Sequence, residues 1–245
     1  MKRLFIVFAF AFSLASCTFT EEITINPDGT GKYNLGMDGS ALMAMMPKDS
    51  AATTKNMDST FTFKELFDAK KDSIAKMSPE KQAKIKNLEN FIVKMKMNYD
   101  TKEFLFSLNS SFKSVADLQN VLNDLSEVQN MAKGSQGNSP VGAMDTFSGN
   151  GANIKYAYDG KKFSRKAMID KSLMKKINKD SLEAYKAIFE SSKYVIKYHF
   201  PKPVKKVSNK TALFSEDKKT ITIEYAFNEY MNEPEKLNFE VEFVK

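Results

Sequence analysis

Two side chains with reactive potential occur once each in this 245-residue chain: Cys17 and His199. One thiol and one imidazole leave little for a Ser/His/Asp relay or a zinc site of Cys and His ligands. His199 falls in a run where Tyr194, Ile196, Tyr198 and Phe200 alternate. That places the imidazole on the opposite face of a strand, where a solitary surface or edge histidine is expected rather than a base. A metal would have to rely on clustered carboxylates, and no helical segment shows them. The stretch Asn26-Pro27-Asp28-Gly29-Thr30-Gly31 has the flavour of a calcium loop. It fails the EF-hand pattern, because Thr24 and Leu35 fall at the first and twelfth positions, where Asp and Glu are required. Gly29-Thr30-Gly31-Lys32 lacks the leading glycine and the Ser/Thr of a phosphate loop. Both stretches read as a tight turn. No catalytic, cofactor-binding or metal-binding residue is assigned, and no cofactor is expected.

Cys17 stands in a more informative setting. Met1-Lys2-Arg3 is a short basic start, Leu4 to Leu14 is almost wholly apolar, and Leu14-Ala15-Ser16 precedes the cysteine. A charged start, a short apolar run and small residues before a cut describe a secretory signal peptide. The run falls short of the roughly 20 apolar residues of a membrane-spanning helix. Leu14-Ala15-Ser16-Cys17 resembles the bacterial lipobox. The resemblance implies a signal peptide over residues 1–16, diacylglyceryl transfer to the Cys17 sulfur, cleavage before it, and acylation of the new amine. With the only thiol spent on lipid, a cysteine nucleophile is ruled out and no disulfide can form within the chain.

Two surface features bear on export and modification. Glu21-Glu22 follows soon after the cysteine, as acidic residues do in some surface-exported Bacteroidetes lipoproteins. Four triplets resemble the Asp-(Ser/Thr)-apolar sequon of Bacteroidetes O-glycosylation. Asp72-Ser73-Ile74 and Asp180-Ser181-Leu182 fall in helical patterns. Asp49-Ser50-Ala51 and Asp58-Ser59-Thr60 fall in an expected loop, which makes Ser50 and Ser59 the candidate glycan acceptors.

The elements that must carry these residues follow from periodicity. Once residues 1–16 are set aside, 229 residues remain, enough for one α+β domain over 17–245 with a proper core. That portion holds 35 of the 37 basic residues against 30 acids, interspersed as on a solvated surface. A mild basic excess favours contact with anionic lipid. Nucleic acid is not an expected partner, since Arg3 and Arg165 are the only arginines.

Alternating residues flank the Pro27-Asp28-Gly29 turn and predict a first hairpin. A short helix over 38–46 and a polar loop over 48–60 follow. Helices are expected from Lys64 to Met77 and from Ser78-Pro79-Glu80 onward, the latter with Ser at the N-cap and Pro in the first turn. Phe91, Val93, Met95, Met97 and Tyr99 share one face of a strand, and Phe104, Phe106 and Leu108 answer them in the next. A third helix is expected from Ser114 through Val128, and a flexible Gly/Ser/Asn-rich loop near 133–153. Asp159-Gly160 then joins two strands in a tight hairpin. Met168 to Glu190 reads as helical. Three strands close the chain, on Tyr194–Phe200, Ile221–Phe227 and Leu237–Phe243. The expected fold is α+β: an antiparallel sheet built from hairpins, with helices packed on one face.

The lipobox, Glu22-Ile23-Thr24-Ile25, Asp28-Gly29-Thr30-Gly31 and Met37-Asp38-Gly39-Ser40 together resemble Bacteroidetes lipoproteins of unknown function. Tyr198-His199-Phe200-Pro201 before a β-rich end more distantly resembles the LppM-type lipoprotein domain, which is similar to lipid-binding folds. The resemblance implies a membrane-anchored envelope lipoprotein, at the outer membrane on its periplasmic or surface side. Its partners would be the membrane, through lipidated Cys17, and an envelope protein or an amphiphile, with no chemistry performed. A hydrolase of envelope material using two facing carboxylates is the alternative.

Overall fold

The computed structural model describes residues 16–45, 56–119, 121, 124–125, 152–169 and 190–245. Most of the signal peptide, Ser50, and the greater part of the 133–153 loop and of the 168–190 helix lie outside the described residues.

β1 (Thr18–Ile25) and β2 (Gly31–Asp38) form the expected hairpin, in full register from Thr18↔Asp38 to Ile25↔Gly31. Asn26, Asp28, Gly29 and Thr30 close it. The Asn26 N–H donates to Thr30 O at 2.8 Å, and Gly29 takes a φ of 84°, which costs glycine nothing. α1 (Ser40–Met45) follows. Next comes β3 (Met57–Thr62), which begins inside the segment expected to be loop and runs past its end. Its polar residues mask its period, because Asp58 and Thr60 face out while Ser59 faces in beside Met57 and Phe61.

The long helix expected over 64–77 is two short ones, α2 (Phe63–Asp68) and α3 (Lys71–Ile74). α4 (Pro79–Asn87) starts where expected, with the Ser78 hydroxyl accepting from Lys81 N. β4 (Ile92–Asn98) and β5 (Glu103–Phe112) form the second hairpin. The helix expected from Ser114 opens as a 3-10 turn over Val115–Leu118, breaks at Gln119, and is helical again at Val121, Asp124 and Leu125 among the described residues. β6 (Ala152–Tyr158) and β7 (Lys162–Ile169) make the Asp159-Gly160 hairpin. β7 thereby takes Met168 and Ile169, the first two residues of the expected 168–190 helix.

β8 (Lys193–His199), β9 (Val204–Val207), β10 (Leu213–Phe214), β11 (Thr220–Ala226), α5 (Phe227–Asn232) and β12 (Phe239–Phe243) complete the order. Phe227 and Leu237, assigned to strands, instead open α5 and end a 3-10 turn.

These strands make two sheets. The larger runs β10-β11-β8-β1-β2-β5-β4-β3 and the smaller β6-β7-β12-β9. Pairing is antiparallel throughout except where β1 lies parallel to β8. The inner face of the larger sheet buries Phe19, Ile23, Tyr33, Leu35, Val93 and Leu108. Much of what covers it is the second sheet rather than a helical layer. Phe163 of β7 meets Tyr198 and Phe200 at 5.4 Å, and Phe239 of β12 meets Tyr198 at 5.7 Å. Helices contribute Phe63, Phe67 and Ile85 to the same core. The protein is mixed and mostly sheet; among the described residues part of the cover is sheet-on-sheet packing, and a layer of helices on one face is not confirmed.

Candidate functional site

Cys17 sits one residue ahead of β1 and is fully buried. Its backbone N–H donates to the Ser192 hydroxyl at 3.1 Å, and its carbonyl accepts from Lys193 N at 3.1 Å. Ser192 in turn offers its carbonyl to Phe227 N at 2.9 Å, at the start of α5. Phe227 stacks on Phe19 with ring centroids 4.1 Å apart. The residue assigned to the anchor is therefore tied to β8 and α5, with no linker between it and the sheet.

Four residues along β1, pleat alternation turns Glu21 inward, on the same face as Phe19 and Ile23. Glu21 is fully buried, so it is no surface-export acid. Its Oε1 accepts from the Tyr156 hydroxyl at 2.5 Å and from the Tyr198 hydroxyl. Its Oε2 accepts from the Tyr194 hydroxyl at 2.5 Å and from Arg165 Nη2 at 3.3 Å. Arg165, itself buried, donates its Nη1 to Leu237 O at 3.2 Å, while its Nε has no hydrogen-bond partner among the described residues. Tyr194 stacks face to face on Tyr230 at 4.1 Å.

Burial by itself would push the Glu21 carboxyl up. The Arg165 charge and three phenol donors outweigh it and hold the carboxyl below the usual range. Burial and the Glu21 charge push Tyr156, Tyr194 and Tyr198 well above the ordinary phenol value. The group is thus a fixed carboxylate saturated with donors, with no lone pair turned to a substrate and no proton to exchange near neutrality. Its members come from both sheets: Glu21, Tyr194 and Tyr198 from the larger, Tyr156 and Arg165 from the smaller. Its work is to hold the sheets in register.

Glu22 points to the other face. His199 Nε2 lies 2.7 Å from Glu22 Oε1, and Lys197 Nζ lies 3.3 Å from the same oxygen. His199 Nδ1 lies 2.9 Å from Thr220 Oγ1. His199 is half-exposed as expected, but β8 is an interior strand of its sheet, so it is no edge histidine. Burial raises the Glu22 carboxyl, and the hydrogen bond with His199 and the charge of Lys197 more than offset it, leaving it lowered.

Beside this group a cleft of about 550 Å³ opens on the outer face of the larger sheet. Its walls include Lys32, Asn34, Asn90, Asn109 and Ser111, with Glu22 as the single carboxylate. Asn34 Nδ2 donates to Asn109 Oδ1 at 2.8 Å across β2 and β5. The cleft can offer hydrogen bonds to a polar surface; it does not hold two facing acids. Among the described residues, no group of three His, Cys, Asp or Glu side chains could hold a metal.

The orientation of His199 is legible in the sequence, and the Glu21–Arg165 group is not. Two signals were present: Glu21 occupies the apolar register of β1, and Arg165 is the one arginine after Cys17. Of the candidate glycan acceptors, Ser59 is partly buried in β3, paired with Met95.

No family model matches the chain, and no curated protein does. The resemblance to Bacteroidetes lipoproteins thus gains no support from relatives. Among solved structures, the folded domain of the Mycobacterium tuberculosis LppM protein, determined by NMR, aligns over 94% of this chain and 91% of that one. The TM-score is 0.40 and the identity 11%, a distant likeness of outline on which nothing below rests. Among the described residues, no helix is long and apolar enough to cross a membrane.

Proposed function

We propose that the chain is a membrane-anchored envelope lipoprotein, held by lipid on Cys17, that binds a partner protein or an amphiphile at the membrane surface and performs no chemistry. The observation that carries this is Leu14-Ala15-Ser16-Cys17 set directly against Thr18, the first residue of β1. Two or three acyl chains anchor firmly where one does not, at about 0.8 kcal/mol per buried methylene. An N-acylated Cys17 keeps one amide N–H, so it retains the bond to Ser192. Its sulfur, once carrying diacylglycerol, no longer fits a fully buried position. The Cys17 side chain then turns outward while its backbone keeps the bond to Ser192 and β1 stays paired from Thr18 on. The rings between the two sheets are in mutual contact, which favours the polar outer face over the interior as the place where a ligand docks.

Labelling with palmitate tests the anchor. The wild-type protein should take up label and pellet with membranes, at outer-membrane density on a sucrose gradient. Cys17→Ser should do neither; a labelled, membrane-bound Cys17→Ser variant would end the proposal. Intact mass of the native protein reads lipid together with any glycan on Ser50 or Ser59. A carboxylate hydrolase finds no support in the described cleft, whose single carboxylate, Glu22, faces a histidine and a lysine.

A further inference from the structure

The hairpin β10–β11 carries Leu213, the most exposed large apolar side chain among the described residues, next to exposed Phe214 and beside a basic turn. Leu213 is 66% exposed and Phe214 47%. They sit on an edge strand that pairs only with β11, through Leu213↔Thr222 and Phe214↔Ile221. The chain around them, residues 201–219, holds Lys202, Lys205, Lys206, Lys210, Lys218 and Lys219 against only Glu216 and Asp217, all exposed. Among the described residues none of these lysines makes an ion pair, and the nearer acid is occupied: Asp217 accepts from the Ser215 hydroxyl at 2.6 Å and from Lys219 N at 3.0 Å.

The turn is built to hold its shape. Ser215 Oγ accepts from Thr220 N at 2.9 Å, Lys218 takes a left-handed φ of 56°, and Lys218 O accepts from Val204 N at 2.8 Å. An apolar pair on a rigid tip, with Lys218 and Lys219 in its turn and the lysines of the adjoining β9 tied to it through Val204, matches one surface in particular. Lipid headgroups of negative charge lie above an apolar layer at the depth of a side chain. A second copy adding to this edge would find only two residues to pair with, too few for a stable strand addition.

We propose that the β10–β11 hairpin is a second membrane contact, in which Leu213 and Phe214 enter the interface of an anionic bilayer while Lys205, Lys206, Lys210, Lys218 and Lys219 meet its headgroups. The proposal rests on the lipid anchor only for proximity. Geometry makes the two contacts compatible. Phe214 lies three strands across from β1, level with Ile23 through Ile221 and Tyr198. At about 4.8 Å per strand and 3.3 Å per residue, that is roughly 25 Å from Cys17. Two contacts that far apart lay the domain on its β10 side instead of standing it on the Cys17 end.

The chain contains no tryptophan, so Phe214→Trp makes a single reporter. The full acylated protein carrying it is placed in vesicles of phosphatidylglycerol and phosphatidylcholine, with acyl-chain bromine as quencher. Emission should shift to the blue and be quenched. Both effects should be lost in vesicles of phosphatidylcholine alone, in 1 M salt, where the screening length falls to about 3 Å, and when Leu213→Ser is added. An unshifted tryptophan on protein that floats with anionic vesicles overturns the hairpin contact and leaves the anchor standing. A shifted tryptophan on protein that carries no acyl chain does the reverse. A shift that needs no vesicles and grows with protein concentration assigns the edge to a second copy and overturns the proposal.

Discussion

At the scale of single residues, Glu21 decides most. Its carboxylate and the Arg165 guanidinium are both fully buried, and each is the other's counter-charge at 3.3 Å. Removing one member of such a pair strands the other, so Glu21→Gln should lower the unfolding free energy by about 3–5 kcal/mol, read from urea unfolding. Glu21 holds its proton less tightly in the fold than in the unfolded chain. The unfolded state therefore binds more protons in acid. Glu21's contribution is complete above its ordinary value of 4.5 and drains away as pH falls through the lower, folded value. Wild-type stability should fall through that acid range, and Glu21→Gln should lack that part of the slope. Half of this was open to a reader of the sequence. Phe19, Glu21, Ile23 and Ile25 share a period of two, which puts an acid on an apolar face and demands a partner. Which of 37 basic residues answers it was not legible, because Arg165 lies 144 positions away and only the sheet-on-sheet packing brings it there.

At the scale of elements, hairpins were legible and helix lengths were not. Asp28-Gly29 and Asp159-Gly160 announce their turns locally, and the alternation in β4, β5, β8 and β11 needs no tertiary context. The Thr62 hydroxyl accepts from Glu65 N while Glu65 accepts from Thr62 N, a capping box that starts α2. Thr62→Ala should cost about 1 kcal/mol. Strands with polar residues on both faces were missed. β3 became visible only through its partner, where Lys96 and Lys94 stand opposite Asp58 and Thr60. Gly31 shows how tightly the central pairing is drawn. A Cβ there would lie 2.0 Å from Thr24 O and 2.4 Å from Phe112 Cζ. Gly31→Ala should therefore disturb β1, β2 and β5 together and destabilise by about 1–3 kcal/mol or more, with a lowered thermal midpoint as the readout.

At the scale of the whole molecule, the buried tyrosines turn two sheets into one cooperative unit. Tyr156 belongs to the smaller sheet and Tyr33, Tyr194 and Tyr198 to the larger, while Tyr230 rises from α5 to stack on Tyr194. Burial first, and the Glu21 charge second, raise all five phenols above their ordinary value of 10.0. A raised folded value means that the neutral phenol is favoured by the fold. Its stabilising contribution is whole below pH 10 and is lost as pH climbs toward the folded value, because the unfolded chain gives up its protons first. In an alkaline titration followed by phenolate absorbance, these five should stay silent well past pH 10 and then ionise together in one step. That step should coincide with loss of the near-ultraviolet circular dichroism of the stacked rings, since opening either sheet exposes the whole group. Two separated steps, one for Tyr156 and another for Tyr194 and Tyr198, would mean that the sheets part before they unfold and that Glu21 does not bind them into one core.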